Sequence, residues 1–203
     1  MLKSITKLFL NANDLSSESI SWEGLSSLKS LTILSLSQNN LVFLPSTIGR
    51  LVSLQKLDVA NNKITQLPDE LGFLNQLQIL QGGNNRINSI TSCIGNCSSL
   101  IEVDFASNLL TELPETFGNL QSLKALHISN NGIKSLPATI FKMCSQLSTL
   151  NLHGTEITND VLRQFEGWGD FDKRRRLKHQ KQIDFRIGCS GGFDEGADES
   201  KQN

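Results

Sequence analysis

One string is written into this chain again and again. From Leu31 it reads Leu31-x-x-Leu34-x-Leu36-x-x-Asn39-x-Leu41-x-x-Leu44-Pro45, and its first leucine returns at Leu54, Leu77, Leu100, Leu123 and Leu147, four intervals of 23 residues and one of 24. A looser copy opens at Ile5 with Leu8, Leu10, Asn13 and Leu15. Seven copies occupy about three quarters of the 203 residues. A unit this short cannot bury its own apolar face, so the copies must stack and share one core. The composition is a by-product of that repetition: 32 Leu, 24 Ser and 18 Asn, and no Tyr.

Each unit dictates its own geometry. In L-x-x-L-x-L the leucines at the fourth and sixth positions alternate with the period of a strand, which sends them inward and their neighbours outward. Seven such strands make one parallel sheet, on the order of 30 Å across at roughly 4.8 Å per strand. Past the strand the backbone turns through the interior, where unpaired N–H and C=O groups are costly. Asn13, Asn39, Asn62, Asn85, Asn108 and Asn131 stand at that turn, and a carboxamide both donates and accepts, so a ladder of asparagines is expected, with Thr155 departing from it. Leu-Pro at 44-45, 67-68, 113-114 and 136-137 should close the turn and open a short helical segment on the opposite side. One copy is irregular: Gly82 takes an inward leucine position and Thr91 replaces the proline. That repeat is predicted to be the least stable, because a missing buried side chain costs a few kcal/mol.

The pattern L-x-x-L-x-L-x-x-N-x-L with this period is identified as the leucine-rich repeat. The unit LSLSQNNLVFLPSTIGRLVSL, with its Leu-Pro-x-x-Ile-Gly-x-Leu ending, resembles the Ras-group leucine-rich-repeat proteins. VLRQFEGWGDFDKRRRLKHQKQIDFRI is similar to the C-terminal region of the plant intracellular Ras-group-related members, so the resemblance covers most of residues 5–187. It implies an α/β leucine-rich-repeat solenoid: a curved parallel β-sheet on the concave face, short helical or irregular convex segments, about seven repeats and a C-terminal cap helix. It also implies a scaffold in intracellular signal transduction, without enzymatic activity, whose partner is a protein such as a small GTPase or a signalling kinase. Arrays of the family are usually longer on the N-terminal side, so this chain is expected to be a short member or a truncated product.

Three segments are expected: the solenoid over residues 1–157, a helical cap with a basic segment over 158–187, and a disordered acidic tail over 188–203. Asn159 or Asp160 is the expected N-cap of a helix through Val161, Leu162, Phe165 and Trp168, its end weakened by Gly167 and Gly169 and its apolar face covering the last repeat. Six cations follow without an acid: Lys173, Arg174, Arg175, Arg176, Lys178 and Lys181. They read as the solvated face of an amphipathic helix with Leu177 inward, or alternatively as a patch for nuclear import, phosphate or anionic lipid, or for nucleic acid in a nucleus-directed factor. The tail's Asp194, Glu195, Asp198 and Glu199 carry charge that could fold back on this run, through weak, salt-screened contacts.

Catalytic chemistry finds no foothold. Cys97 and Cys144 align with Leu51, Leu74 and Leu120 and should be core residues, Cys93 and Cys97 alone do not complete a zinc set, and Cys189 in the tail is expected to be a free exposed thiol. His127 and His153 belong to outward positions of adjacent strands without a third ligand or a partnered nucleophile. No phosphate-loop, dinucleotide or H-E-x-x-H motif is present. Neither a metal, a cofactor nor an enzymatic activity is therefore expected. The formal charge of −1 gives no polyelectrolyte argument for nucleic acid, and no apolar run approaches the roughly 18–20 residues of a membrane span. With no signal peptide and no disulfide framework, a monomer in the reducing cytoplasm is expected, or in the nucleus if the basic run is an import signal.

What remains variable is the outward side of the strands. The central column is Phe9, Ser35, Asp58, Gln81, Asp104, His127 and Asn151. Before it run Lys7, Ile33, Lys56, Ile79, Glu102, Ala125 and Thr149, and after it Asn11, Ser37, Ala60, Gly83, Ala106, Ser129 and His153. A small-residue stripe edged by polar groups suits a protein segment. The expected partner-binding set is Lys56, Asp58, Gln81, Glu102, Asp104, Lys124, His127, Asn151 and His153.

Overall fold

The computed structural model describes residues 4–190. Seven three-residue strands form one sheet: β1 (Lys7–Phe9), β2 (Ile33–Ser35), β3 (Lys56–Asp58), β4 (Ile79–Gln81), β5 (Glu102–Asp104), β6 (Ala125–His127) and β7 (Thr149–Asn151). They pair in parallel in chain order. Equivalent repeat positions face each other at every step, as in Ile33↔Lys56, Leu57↔Leu80 and Gln81↔Asp104, so the outward columns run straight across the sheet. The inward leucines form one continuous core from Leu25 to Phe171.

The asparagine ladder is as the repeat demands. Asn62 Oδ1 accepts the backbone N–H of Leu41 at 3.0 Å, while its Nδ2 donates to the carbonyls of Leu36 and Val59, both at 3.0 Å. Asn39, Asn85, Asn108 and Asn131 repeat the arrangement. The residue before each is left-handed, with φ between 54° and 57° at Gln38, Asn61, Asn84, Ser107 and Asn130, which turns the chain off the strand. At the last copy Thr155 Oγ1 donates to Leu152 O at 2.8 Å and replaces only one arm of the carboxamide.

After Pro45, Pro68 and Pro114 the chain enters 3-10 helices at Ser46–Arg50, Asp69–Phe73 and Glu115–Asn119. A fourth, Ser92–Asn96, follows Thr91, whose hydroxyl accepts from Cys93 N at 3.1 Å and donates to Asp69. The threonine thus caps the segment that proline opens elsewhere. The two long spacings in the repeat fall where the returning segment is α-helical instead, α1 (Trp22–Ser26) and α2 (Ile140–Met143). Neighbouring 3-10 segments lie so close that a Cβ on Gly72 would stand 2.6 Å from Cys93 O, so glycine is required there.

Gly82 does not leave a hole. A Cβ there would lie 2.7 Å from Cε1 of Phe105, the residue at the same inward position one strand later, and the phenyl ring fills the missing leucine's volume. The expected weak repeat is therefore packed by its neighbour.

Beyond β7 the single expected helix is two. Thr158, not Asn159 or Asp160, is the N-cap of α3 (Asn159–Leu162), accepting from Val161 N at 3.4 Å. The chain then breaks at Gly167, where φ is +85° and a Cβ would stand 2.8 Å from the Phe141 carbonyl carbon, which excludes a side chain, before α4 (Trp168–Ser190). Phe165, Trp168 and Phe171 stack around Phe141 with centroids 4.8–5.7 Å apart and seal the last repeat. Leu177 points away from this core and is 55% exposed, contrary to its expected inward position, because the sealing is complete by Phe171. The helix also runs past the expected boundary at Gly188 and takes Cys189 into its last turn, since a lone glycine costs a helix only about 1 kcal/mol. The remaining expected tail, residues 191–203, lies outside the described residues.

Cys97 and Cys144 are buried, their S–H groups directed at Leu71 O (3.2 Å) and Phe117 O (3.3 Å). Burial pushes both thiols up to about 11, with Cys93 adding to the rise at Cys97 and Arg174 opposing it at Cys144. Neither is expected to react with a maleimide at pH 8 until the chain unfolds, and rapid labelling of native protein at either position would contradict the core placement. The sign with pH follows. The unfolded thiol loses its proton first, so stability present below about pH 9 should decline as pH rises toward 11, read as a falling melting temperature.

Candidate functional site: the concave face

Alternation along each strand and registry between strands together place the outward residues on a grid. Lys56, Asp58, Gln81, Glu102, Asp104 and His127 lie half-buried in it, whereas Asn151 and His153 are exposed at its C-terminal end. His127 faces Asn151 across β6 and β7. Lys124 is exposed one residue before β6, out of phase with Ala125 and His127, so it stands at the sheet margin.

The two aspartates have a second employment. Asp58 Oδ1 accepts from Ala60 N at 3.1 Å, and Asp104 Oδ1 accepts from Ala106 N at 2.9 Å, each bracing the turn that follows its strand. Asp58 Oδ2 also faces the Ser35 hydroxyl at 2.9 Å, which has Asn11 Oδ1 on its other side at 2.7 Å. A single hydroxyl proton serves one of these acceptors at a time, so the edge of the grid is a shared polar network. Lys56, Glu102 and Lys124 form no ion pair among the described residues, and their charges remain available to a partner. Phe9 is 61% exposed in the central column and belongs to the surface as well. Its being the one aromatic among the outward positions was the signal for it.

The basic run is not a uniform patch. Asp172 holds Arg175 and Arg176, each at 2.7 Å, and these bonds, Arg175's first, keep its carboxyl below the ordinary range. Arg174 Nε donates to Leu147 O at 2.9 Å, and the Lys178 ammonium meets Thr149 Oγ1. Lys173 and Lys181 are exposed without an ion pair among the described residues. No helix of the described residues is long and apolar enough to cross a membrane, and no cluster of three metal-ligating side chains occurs among them.

Residues 7–108 match a family described as leucine-rich repeat region. The chain belongs to the leucine-rich-repeat family. Among curated leucine-rich-repeat proteins it is 61% identical to "Plant intracellular Ras-group-related LRR protein 8" of Oryza sativa subsp. japonica, over 98% of this chain and 52% of that protein. It is 72% identical to an "LRR repeats and ubiquitin-like domain-containing protein" of Arabidopsis thaliana, over 97% of this chain and 53% of the relative. The Ras-group resemblance read from the repeat unit is thereby borne out, and the chain spans about half the length of these relatives. Among solved leucine-rich-repeat structures, the "Plant peptide hormone receptor RGFR1 in complex with RGF2" superposes with a TM-score of 0.63 at 30% identity, over 74% of this chain and 24% of the receptor. A leucine-rich-repeat protein of Leptospira interrogans gives 0.54 at 28%, over 75% and 50%. A leucine-rich-repeat region of this kind is a protein-interaction repeat domain, a fold and family that are typically non-enzymatic binding scaffolds.

Proposed function

We propose that this chain is a non-catalytic adaptor of intracellular signal transduction that holds a protein partner, of the small GTPase or signalling-kinase kind, on its concave face. The observation that carries the reading is the stripe Ser37, Ala60, Gly83, Ala106 and Ser129, low enough to admit a partner backbone and bordered by the polar line Asp58, Gln81 and Asp104, beyond which stand Lys56 and Glu102, without an ion pair among the described residues. The relative's printed name, which places it inside the cell, and the peptide-bound receptor support it. Within the partner-binding set, Asp58, Gln81, Asp104 and His127 form the central line, with Asn151, His153 and Lys124 at its C-terminal margin.

Alanine at Asp58 or Asp104 would also remove a turn-bracing bond, so the test uses changes that leave the backbone contacts intact. Lys56→Glu, Gln81→Ala and Glu102→Lys combined, with Asp58→Asn and Asp104→Asn, should lower affinity for the captured partner at least tenfold and leave the melting temperature within about 2 °C of the parent, because exposed polar changes are near-neutral for stability. Undiminished capture would remove the partner from this face. A nucleic-acid or nuclear reading of the basic segment is disfavoured by Asp172, whose carboxylate already pairs Arg175 and Arg176 in the middle of the run.

A further inference from the structure

Where α4 runs past β7, its side chains at steps of four form two neighbouring rows on one face: Arg174 and Lys178, then Leu177, Lys181 and Phe185. With Ser148 they line an open groove of about 660 Å³. Leu177 and Phe185 are 55% and 73% exposed, which is costly for two large apolar groups with water as their neighbour. Among the described residues no carboxylate lines the groove, while the cations turned to another flank of the helix, Arg175 and Arg176, are neutralised by Asp172. The Nη2 of Arg174 is buried and has no hydrogen-bond partner among the described residues. A charged donor left without an acceptor lacks the compensation that buried polar groups almost always find.

We propose that this groove is a second binding site, for an acidic peptide segment of a partner protein bearing one apolar anchor. The anchor sits on Leu177 and Phe185, and carboxylates meet the exposed ammonium groups of Lys178 and Lys181, while Arg174, which donates from Nε to Leu147 O, adds its charge at the wall of the groove. Peptide fits better than nucleic acid. A strand needs a long run of free cations along its phosphates, whereas the groove offers three beside two apolar side chains. The site adjoins the C-terminal margin of the concave face, where Lys178 meets Thr149, but it uses no residue of the partner-binding set and does not rest on that reading.

Fluorescence anisotropy of a labelled, end-blocked peptide Glu-Asp-Glu-Leu-Asp-Glu-Ser, a sequence that does not occur in this chain, with the full chain tests this. Micromolar binding is expected, weakened at least tenfold by Lys178→Glu with Lys181→Glu, by Phe185→Ser, and by exchanging the peptide's acids for amides. The concave-face variant should bind the peptide as the parent does. Equal binding of the amide peptide, or indifference to the lysine changes, would overturn the site. Tighter binding of a single-stranded oligonucleotide than of the peptide would overturn the assigned partner class. A chain carrying Asp194→Asn, Glu195→Gln, Asp198→Asn and Glu199→Gln that binds the peptide tenfold more tightly than the parent would give the groove to the chain's own acids, which also overturns the partner assignment. The helix lysines are exposed, so circular dichroism melts of these variants should match the parent.

Discussion

Replacing Asn108 with alanine is expected to cost about 3–5 kcal/mol, most of it from a single orphaned N–H and two lost bonds. Its Oδ1 accepts from Ile87 N at 2.9 Å, and its Nδ2 reaches Gly82 O and Phe105 O, each at 3.0 Å. The two carbonyls keep a partner, from Asn85 and Asn131 respectively, but Ile87 N–H loses its acceptor where water does not reach. The same change at Asn13 is the control. That side chain is exposed, its Nδ2 donates only to Asn11 O, and its loss should cost less than about 1 kcal/mol. Urea midpoints of the two variants decide it: similar losses at both sites would mean that the ladder stabilises no more than hydrated backbone does.

The second large effect is expected at Phe105. Phe105→Ala should destabilise by about 3–5 kcal/mol, since it empties its own site and the space over Gly82 together. Gly82→Leu alone should also destabilise, because its Cβ would start 2.7 Å from the ring. Gly82→Leu with Phe105→Leu restores the ordinary leucine pair and should recover most of what Gly82→Leu and Phe105→Leu each lose alone, giving a coupling of about 1–3 kcal/mol between the sites. Strict additivity in that double-mutant cycle would show that the ring does not fill the glycine's space.

These two sites also mark how far the sequence could be read. Strand positions, inward leucines, the ladder and the columns of the binding grid are each fixed by contacts within one repeat or to the same position of the next, so a periodic string encodes them directly. Gly82 and Phe105 belong to different repeats, and their compensation is invisible when each repeat is compared with the consensus on its own. Reading the inward column crosswise, as Val59, Gly82, Phe105, Ile128, would have revealed it: a large residue follows the smallest. Thr91 was legible as a departure from proline, and its cap on Cys93 N is local and of the ordinary threonine kind; only its bond to Asp69 crosses to the preceding repeat and lay out of sight. Past β7 periodicity ends and only generic helix signals remain. The left-handed Gly167 and the aromatic seal around Phe141 therefore moved a helix boundary, and they left Leu177 facing water.

The straight registry of the columns carries a consequence for how such a chain changes over time. Outward residues contribute little to the core, so exchanges among them are near-neutral for stability, within about 0.5 kcal/mol. Every exchange still lands at a fixed pitch, with known neighbours left and right. Recognition can then drift one square at a time while the scaffold stands still. Asp58 and Asp104 are the exceptions, since they serve the turn as well as the surface. Lineages that acquire new partners are expected to vary Gln81 and Glu102 freely and to hold those two aspartates to residues that still accept a backbone N–H.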